Sequence, residues 1–308
     1  MRKVIVLVIL ILCSHLLVIN FLSASGPGTV GGDFLKIGVG ERAVGMGGAF
    51  SSIADNATAI YWNPAGLSQL SKRELSGMKL DYLLDIDGGY LSYAHPVSKI
   101  GVFGFHTSFL TCSDVRRDEN ATRLDTFTNE QKSFTLSYSR WMNSRLSLGV
   151  NLKGIYSRYD TDSASGIGVD IGGLYKTPLY GLNVGIVVQN IGTGLKYTDA
   201  EETMPLNLKI GTSYGFFNRN LLLAVDADNF IDSSPNFKLG TEYIAIPFAN
   251  IQISARIGYG TLSNSSLNAI TGVSSGFGLS YKDYAFDYAS VPYGEFGITS
   301  RTSITVRF

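Results

Sequence analysis

From Glu74 to the last residue, hydrophobic and polar positions alternate along the chain. In the segment 145–158, for example, leucine, valine and tyrosine take one set of alternating positions, and serine, glycine, asparagine and lysine take the other. Successive side chains of a β-strand point to opposite faces, so a period of two predicts strands with one apolar and one polar face. The pattern predicts an all-β fold of fourteen strands, at 74–85, 88–97, 100–111, 130–141, 145–158, 165–176, 181–191, 204–216, 220–229, 236–246, 250–260, 272–282, 283–290 and 297–308.

The predicted connections alternate between short and long, and the short connection at 85–88 is the exception among the long ones. The short turns are at 96–99, 142–144, 177–180, 217–219, 247–250 and 282–283, and the longer loops are at 111–129, 192–203, 261–271 and 289–296. Short turns at one end, longer loops at the other and an even number of strands are typical of bacterial outer-membrane barrels. A large soluble sandwich or barrel is the alternative, but it gives no reason for this alternation. We therefore expect residues 74–308 to form a 14-stranded antiparallel transmembrane β-barrel.

Charges on the polar faces indicate that these faces line the lumen. A lysine or arginine turned toward the bilayer midplane costs about 2–4 kcal/mol. The polar residues that we expect in the lumen include His106, Lys209, Asp226, Asp228, Lys238 and Arg256. We expect the two aspartates to pair across strands with the two lysines. Calcium binding or acid–base chemistry by the aspartates, and ligation by the histidine, are the alternatives.

The first 25 residues have the features of a secretory signal peptide. Met1-Arg2-Lys3 is cationic, Val4 to Leu22 is mostly apolar, and Ser23 to Gly26 supplies small residues for cleavage. An uncleaved anchor helix is the alternative. Cleavage at residue 25 would leave Cys112 as the one cysteine of the mature chain, which excludes an intrachain disulfide.

Residues 26–73 lack the alternation and are rich in glycine and alanine. A barrel of fourteen strands leaves a lumen after its own side chains are placed, so we expect this segment to form a plug, or hatch, inside it. We expect the plug charges Glu41, Arg42 and Asp55 to pair with charges of the barrel wall. The motif of the plug is Trp62, Asn63, Pro64, Ala65 and Gly66.

Several stretches together resemble the PorV/PorQ family. They are Gly40 to Phe50, Tyr61 to Leu67, Val187 to Gly192, Met204 to Leu206 and Asp287 to Phe308. That family is similar in turn to the FadL-like long-chain fatty-acid transporters of the outer membrane. The resemblance implies a bacterial outer-membrane barrel with an N-terminal hatch, in which Asn63-Pro64-Ala65 matches the hatch motif. The terminal Phe308 resembles the signal by which the barrel-assembly machinery recognises its clients.

The resemblance implies passive transport of a hydrophobic small molecule such as a fatty acid. We expect the cargo to pass when the hatch shifts, for example through kinks or gaps in glycine-rich strands such as Gly166–Gly173. The alternative is a barrel associated with type IX secretion that binds or shuttles exported client proteins.

Composition narrows the remaining functions. The 25 Lys and Arg balance the 25 Asp and Glu, so electrostatic binding of nucleic acid is excluded as the main function. Charged residues make up 16% of the chain, which is low for a soluble domain, and glycine is abundant at 35 residues. No spacing of residues indicates a metal site, a cofactor or a catalytic triad. We expect a protein that is not an enzyme and whose partners are membrane lipid, a hydrophobic ligand or secreted proteins.

Overall fold

The computed structural model describes residues 30–83, 86–120, 122–198, 201–248, 250–261 and 272–308. The strands are β1 (Glu74–Asp81), β2 (Asp87–Val97), β3 (Gly101–Arg117), β4 (Arg123–Trp141), β5 (Leu146–Tyr159), β6 (Asp162–Lys176), β7 (Leu182–Gly192), β8 (Leu195–Lys196), β9 (Glu201–Glu202), β10 (Asn207–Phe216), β11 (Leu221–Phe230), β12 (Asn236–Phe248), β13 (Ile251–Gly260), β14 (Val273–Tyr281), β15 (Tyr284–Pro292) and β16 (Ile298–Arg307). Fourteen of them close into an antiparallel barrel, which confirms the predicted fold class. The short β8 and β9 pair separately, in the loop between β7 and β10.

The barrel closes between the first strand and the last. β1 pairs with β16 from Glu74 opposite Arg307 to Asp81 opposite Ser300. Across this seam the Arg307 Nε donates a hydrogen bond of 2.8 Å to the Glu74 carboxylate. Closure provides partners for the backbone groups that a lipid environment leaves unpaired.

The outward face of the barrel is apolar and the inward face is polar. Leu136, Ile167 and Ile304 point outward and are each 61% exposed, whereas Asn151 and Asp170 point inward and are fully buried. A soluble sandwich would bury its apolar face instead, so this arrangement excludes the soluble alternative and fits strands that cross a bilayer. Among the described residues, no helix has both the length and the hydropathy needed to cross a membrane.

The strands differ from the prediction mainly at their external ends. β3 runs to Arg117 and β4 begins at Arg123, so the predicted loop at 111–129 is wrong, and most of it forms the outer part of a hairpin. Outside the membrane both faces of a strand meet water, so the apolar alternation that marks a strand is lost. β5 and β6 are likewise joined by a tight turn at Asp160, which has a φ of 55°.

Residues 30–73, called here the N-terminal segment, lie inside the barrel as short helical turns. These are the 3-10 helices Asp33–Lys36 and Pro64–Gln69 and the α-helices Glu41–Gly45 and Ala59–Trp62. The helix Glu41–Gly45 packs against β13 to β16, and the 3-10 helix Pro64–Gln69 packs against β3 to β6. The hydrophobic core therefore lies between the segment and the wall, and its largest buried side chains are Met46, Phe50, Ile53, Ile60 and Leu67.

The signal peptide at the N-terminus and the assembly signal at Phe308 both stay predictions. The secretory signal at 1–25 lies outside the described residues. Phe308 exchanges two backbone hydrogen bonds of 3.0 Å with Arg73, and its ring stacks on Tyr93. Phe308 is 58% exposed, so its ring is accessible at the periplasmic end of the barrel.

Candidate functional site

The wall makes room for the N-terminal segment with inward-facing glycines. A Cβ on Gly149 of β5 would lie 2.3 Å from the backbone N of Ala65. A Cβ on Gly258 of β13 would lie 2.0 Å from the backbone N of Gly47. Real Cβ atoms are never so close to backbone, so these positions require glycine while the segment is seated. The segment and the wall are therefore fitted backbone to backbone on opposite sides of the lumen.

Asn63 is the best-connected side chain of the motif at residues 62–66. It is fully buried, and its Nδ2 donates to the backbone carbonyls of Ser51 at 2.7 Å and of Gly173 at 3.0 Å. Its Oδ1 accepts from the backbone N–H of Ala65 at 3.1 Å and so caps the 3-10 helix that begins at Pro64. Asn63 thus joins two parts of the segment to β6 of the wall.

The neighbouring motif residues are held as firmly. The carbonyl of Ala65 accepts hydrogen bonds from the hydroxyls of Ser139 at 3.0 Å and Ser147 at 2.8 Å. The indole N–H of Trp62 donates to the carbonyl of Val39 at 2.8 Å, and its ring meets that of Phe50 edge to face. The motif therefore fixes the segment both to the wall and to itself.

Arg42 links the segment to a chain of charges in the wall. Its Nε and Nη2 donate to the two carboxylate oxygens of Glu242 in β12, at 2.9 and 2.7 Å. Glu242 also binds Arg256 of β13 at 2.7 Å, and Arg256 binds Asp287 of β15 at 2.5 Å. Arg42 thus has the wall partner that the sequence predicts.

Asp55 departs from the prediction in part. Its carboxylate pairs mainly with Arg42 in the same segment, and its other oxygen lies 3.9 Å from Arg219 in the turn after β10. The path of the segment brings Arg42 and Asp55 together. This path cannot be predicted from the sequence, because short helical turns have no regular pattern of polar and apolar residues.

Glu41 forms no ion pair among the described residues, so the prediction that it pairs with a wall charge is wrong. Its side chain is 2% exposed, and Oε1 has no hydrogen-bond partner in the part of the chain that the structure describes. Burial raises the pKa of Glu41 to about 7, although a hydrogen bond with Ser303 and the charge of Arg301 act in the opposite direction. Asp287, the acid near it, is already bound to Arg256 and raises the pKa further.

The free energy of unfolding is expected to fall between pH 5 and pH 8 because of Glu41. The folded protein keeps a proton on Glu41 up to about pH 7, whereas the unfolded chain releases it at its ordinary pKa of 4.5. The folded state therefore binds more protons across this window, and stability declines as pH rises. In urea titrations in detergent, wild type should lose about 2–3 kcal/mol more than Glu41→Gln over this range. Identical pH dependence in the two proteins would show that Glu41 is ionised when folded.

The two lumenal aspartates only partly follow the expected pairing. Asp228 pairs with Lys238 at 2.9 Å, as predicted. Asp226 instead accepts hydrogen bonds from the backbone N–H groups of Phe50 at 3.1 Å and Ser51 at 2.8 Å. The prediction of an ion pair for Asp226 is wrong because buried N–H groups of the N-terminal segment compete for its carboxylate.

Lys209 has no carboxylate partner, which also corrects the prediction. It is 3% exposed, and among the described residues it forms neither an ion pair nor a hydrogen bond. Its Nζ lies 5.2 Å from the ring centre of Tyr61 and 5.0 Å from that of Trp62, within the range of a cation–π interaction. His106 is also buried, and its ring lies 4.4 Å from that of Tyr90. Within the described part of the chain, no three His, Cys, Asp or Glu residues are grouped to hold a metal ion.

A cavity of about 450 Å³ lies between the N-terminal segment and the external half of the wall. Its charged lining residues are Asp33, Lys36, Lys209, Asp228, Lys238 and Arg301. Its aromatic lining residues are Tyr61, Trp62, Tyr82, Phe230 and Tyr293. The cavity is thus both aromatic and rich in cations, with four cations against two carboxylates.

A second, smaller cavity of about 30 Å³ lies between the segment and strands β1 to β5 and is mostly apolar, with Phe34, Leu35, Ile37, Met78, Leu80 and Leu110 in its lining. Gly89 and Phe109 also line it. On the lipid side of the same wall runs a groove whose lining includes Gly77, Leu91, Phe109 and Ile304. A Cβ on Gly89 would lie 2.5 Å from the ring of Phe109, so this ring lies directly over the bare backbone of β2. The linings of the cavity and the groove share Met78 and Phe109, and this stretch of β1 to β3 is called here the thin wall.

The glycine-rich strand that the sequence predicts to leave a gap has that space occupied by a side chain. The stretch Gly166–Gly173 belongs to β6, whose register with β7 shifts between Val169 and Ile171. On its inner side, however, Gly166 and Gly168 contact the side chain of Met204. The predicted location of a passage is therefore not supported, and the thin wall lies at β1 to β3.

The fold, its apolar outer face and its filled lumen define an outer-membrane β-barrel that carries its N-terminal segment inside. The chain belongs to the PorV family, because the family model described as "Type IX secretion system protein PorV" matches residues 27–233. Membership confirms the resemblance inferred from the sequence and places the protein in the bacterial outer membrane. A comparison with curated proteins by sequence gave no significant match.

Several solved structures share this fold. The CymD monoaromatic hydrocarbon channel is 16% identical with a TM-score of 0.61, and the match covers 88% of this chain and 98% of that one. The Ralstonia pickettii toluene transporter TbuX is 13% identical with a TM-score of 0.58 and the same coverage. A Pseudomonas aeruginosa FadL homologue is 13% identical with a TM-score of 0.55, again with the same coverage. At these identities the likeness establishes the fold.

Proposed function

We propose that this barrel lets hydrophobic small molecules cross the outer membrane passively. A molecule from outside enters the external cavity, and the N-terminal segment blocks the direct path to the periplasm. A shift of the segment around Asn63-Pro64-Ala65 joins the external cavity to the smaller apolar one. The expectation that the chain is not an enzyme is part of this proposal.

The observation that carries the proposal is the thin wall at Gly89. An apolar cavity inside the barrel and a groove on its lipid face share Phe109 and Met78 in their linings. A polar solute loses its hydration on a path toward lipid, whereas a hydrophobic molecule gains free energy by leaving water for such a path. The names of two proteins that share the fold, a monoaromatic hydrocarbon channel and a toluene transporter, support the same class of cargo.

Phe109 provides the test of this route. In intact cells that express the protein in the outer membrane, entry of the hydrophobic dye 1-N-phenylnaphthylamine should be faster than in cells without it. Phe109→Ala should speed entry further and Phe109→Trp should slow it, because the ring covers the thin wall. Phe105→Ala is the matched control, since Phe105 lies on the same outward face of β3 and lines neither cavity nor groove. Equal entry with and without the protein would refute the transport proposal.

Type IX secretion is the second candidate, and the family model favours it. In that role the barrel would bind exported client proteins at its external surface and shuttle or anchor them. Affinity purification from a host with this secretion system should then recover exported proteins. Their recovery should survive Asn63 substitutions that disturb the segment, because the clients would bind outside the lumen. If the Asn63 substitutions displaced the segment and also abolished recovery of the exported proteins, client binding would depend on the seated conformation of the segment.

A further inference from the structure

Two buried cations of the external cavity have no carboxylate partner in the described part of the chain. The other two lysines of its lining are paired, since Lys36 lies 2.6 Å from Asp232 and Lys238 lies 2.9 Å from Asp228. Lys209 and Arg301 are each 3% exposed and form no ion pair among the residues that the structure describes. A buried charge without a partner is costly, so a cavity that keeps two of them favours an anion.

The donor groups of both cations are available. Among the residues that the structure describes, the Nε of Arg301 has no hydrogen-bond partner, and one of its Nη atoms donates only to the hydroxyl of Thr299, at 3.2 Å. Glu41 lies near Arg301 without forming an ion pair with it. Lys209 contacts the faces of Tyr61 and Trp62, which leaves its three N–H donors without an oxygen acceptor in the described residues.

The rest of the lining indicates the body of such an anion. Five aromatic rings line the cavity, against three branched aliphatic side chains, Ile37, Val44 and Val291. Aromatic rings stack favourably on planar ligands. A cavity of about 150 Å³ holds one benzene molecule, so about 450 Å³ accommodates a body of two fused rings and an acid group.

We propose that the external cavity binds an aromatic carboxylate, with Lys209 and Arg301 holding the acid and the aromatic lining holding the rings. The proposal rests on the proposed transport function and specifies that the transported molecule is an anion. It separates this chain from a channel that selects neutral hydrocarbons, for which two unpaired cations would be a disadvantage.

The test compares three ligands on the purified barrel in detergent, by quenching of tryptophan fluorescence or by displacement. 2-Naphthoate should bind at least about tenfold more tightly than naphthalene, the factor that one hydrogen bond to a charged group provides. Decanoate, an aliphatic acid, should displace 2-naphthoate only weakly. Lys209→Met and Arg301→Met should each lower the preference for 2-naphthoate over naphthalene about tenfold. Lys196→Met and Arg145→Met are the matched controls, since both side chains are exposed and neither lines the cavity.

The outcomes separate this inference from the proposed function. Equal binding of naphthalene and 2-naphthoate by wild type would overturn the anion site and leave hydrophobic transport standing. Displacement of 2-naphthoate by decanoate at equal concentration would overturn the preference for an aromatic body. Failure of all three ligands to bind would count against the proposed function as well. The wild-type comparison decides the matter even where a variant folds poorly.

Discussion

Gly149→Leu is expected to expel the N-terminal segment from the lumen and turn the barrel into an open pore. A Cβ at this position would lie 2.3 Å from two backbone atoms, the N of Ala65 and the C of Pro64. β5 is held by hydrogen bonds to β4 and β6 on both sides, so the segment has to move rather than the strand. Overpacking of a tight interior typically costs about 1–3 kcal/mol, and backbone cannot rotate away as a side chain can. Once the segment moves, a lumen of fourteen strands admits water and small polar solutes.

Single-channel conductance in planar bilayers measures this opening. Wild type should be closed most of the time, and the variant should be open at least about tenfold more often, which corresponds to about 1.4 kcal/mol. Gly154→Leu is the matched control, because Gly154 lies on the same strand, faces outward and has no atom within 4 Å of its Cβ position. Equal conductance of the two variants would mean that the segment is not what closes the pore.

The barrel could be predicted from the sequence because every strand inside the membrane has two faces in different environments. Lipid on one side and a polar lumen on the other impose a period of two on every strand inside the membrane. The prediction failed outside the membrane, where the strands no longer separate lipid from lumen. There β3 continues to Arg117 and β4 begins at Arg123. There the sequence carries polar residues on both faces, and only the pairing of the strands shows that they continue.

The contacts inside the lumen were harder to predict, even where the strands were placed correctly. Lys209 lies directly opposite Asp228, and Asp226 lies directly opposite Lys238, as cross-strand pairing requires. Asp226 nevertheless binds backbone N–H groups at Phe50 and Ser51, and Asp228 binds Lys238 instead. The N-terminal segment redistributes the partners, and alternation along the strands carries no information about its path.

Arg301 and Phe109 are residues whose faces the sequence indicates but whose roles it does not. Arg301 alternates with its neighbours like any other lumenal charge, so nothing in β16 marks it as unpaired. Phe109 is one of several outward phenylalanines on β3, and only its position over Gly89 distinguishes it. A glycine on the outward face of one strand beside an aromatic residue on the next was the available signal. Reading it requires the register between β2 and β3.

Asn63→Asp is expected to loosen the N-terminal segment although it changes a single atom type. The Nδ2 of Asn63 donates to two buried carbonyls, of Ser51 and Gly173, and a carboxylate oxygen in its place faces both without a hydrogen to share. Each buried acceptor left without its donor costs about 1–3 kcal/mol, and a buried carboxylate costs more. We expect the seated segment to lose at least about 3 kcal/mol, which raises hydrogen exchange of its amides by about a hundredfold where opening is local.

Hydrogen exchange of the segment, measured by mass spectrometry against the exchange of β5, separates local loosening from unfolding of the barrel. Asn143→Asp is the matched control, because Asn143 uses only its Oδ1, which accepts from the backbone N–H groups of Arg145 at 2.8 Å and Leu146 at 2.9 Å. A carboxylate accepts those two bonds equally well, so this variant should exchange like wild type. Unchanged exchange in Asn63→Asp would show that the packing of the segment, and not the donors of its central asparagine, holds it in the lumen. Faster exchange of the segment alone would identify Asn63 as the point at which the hatch is fastened to the wall.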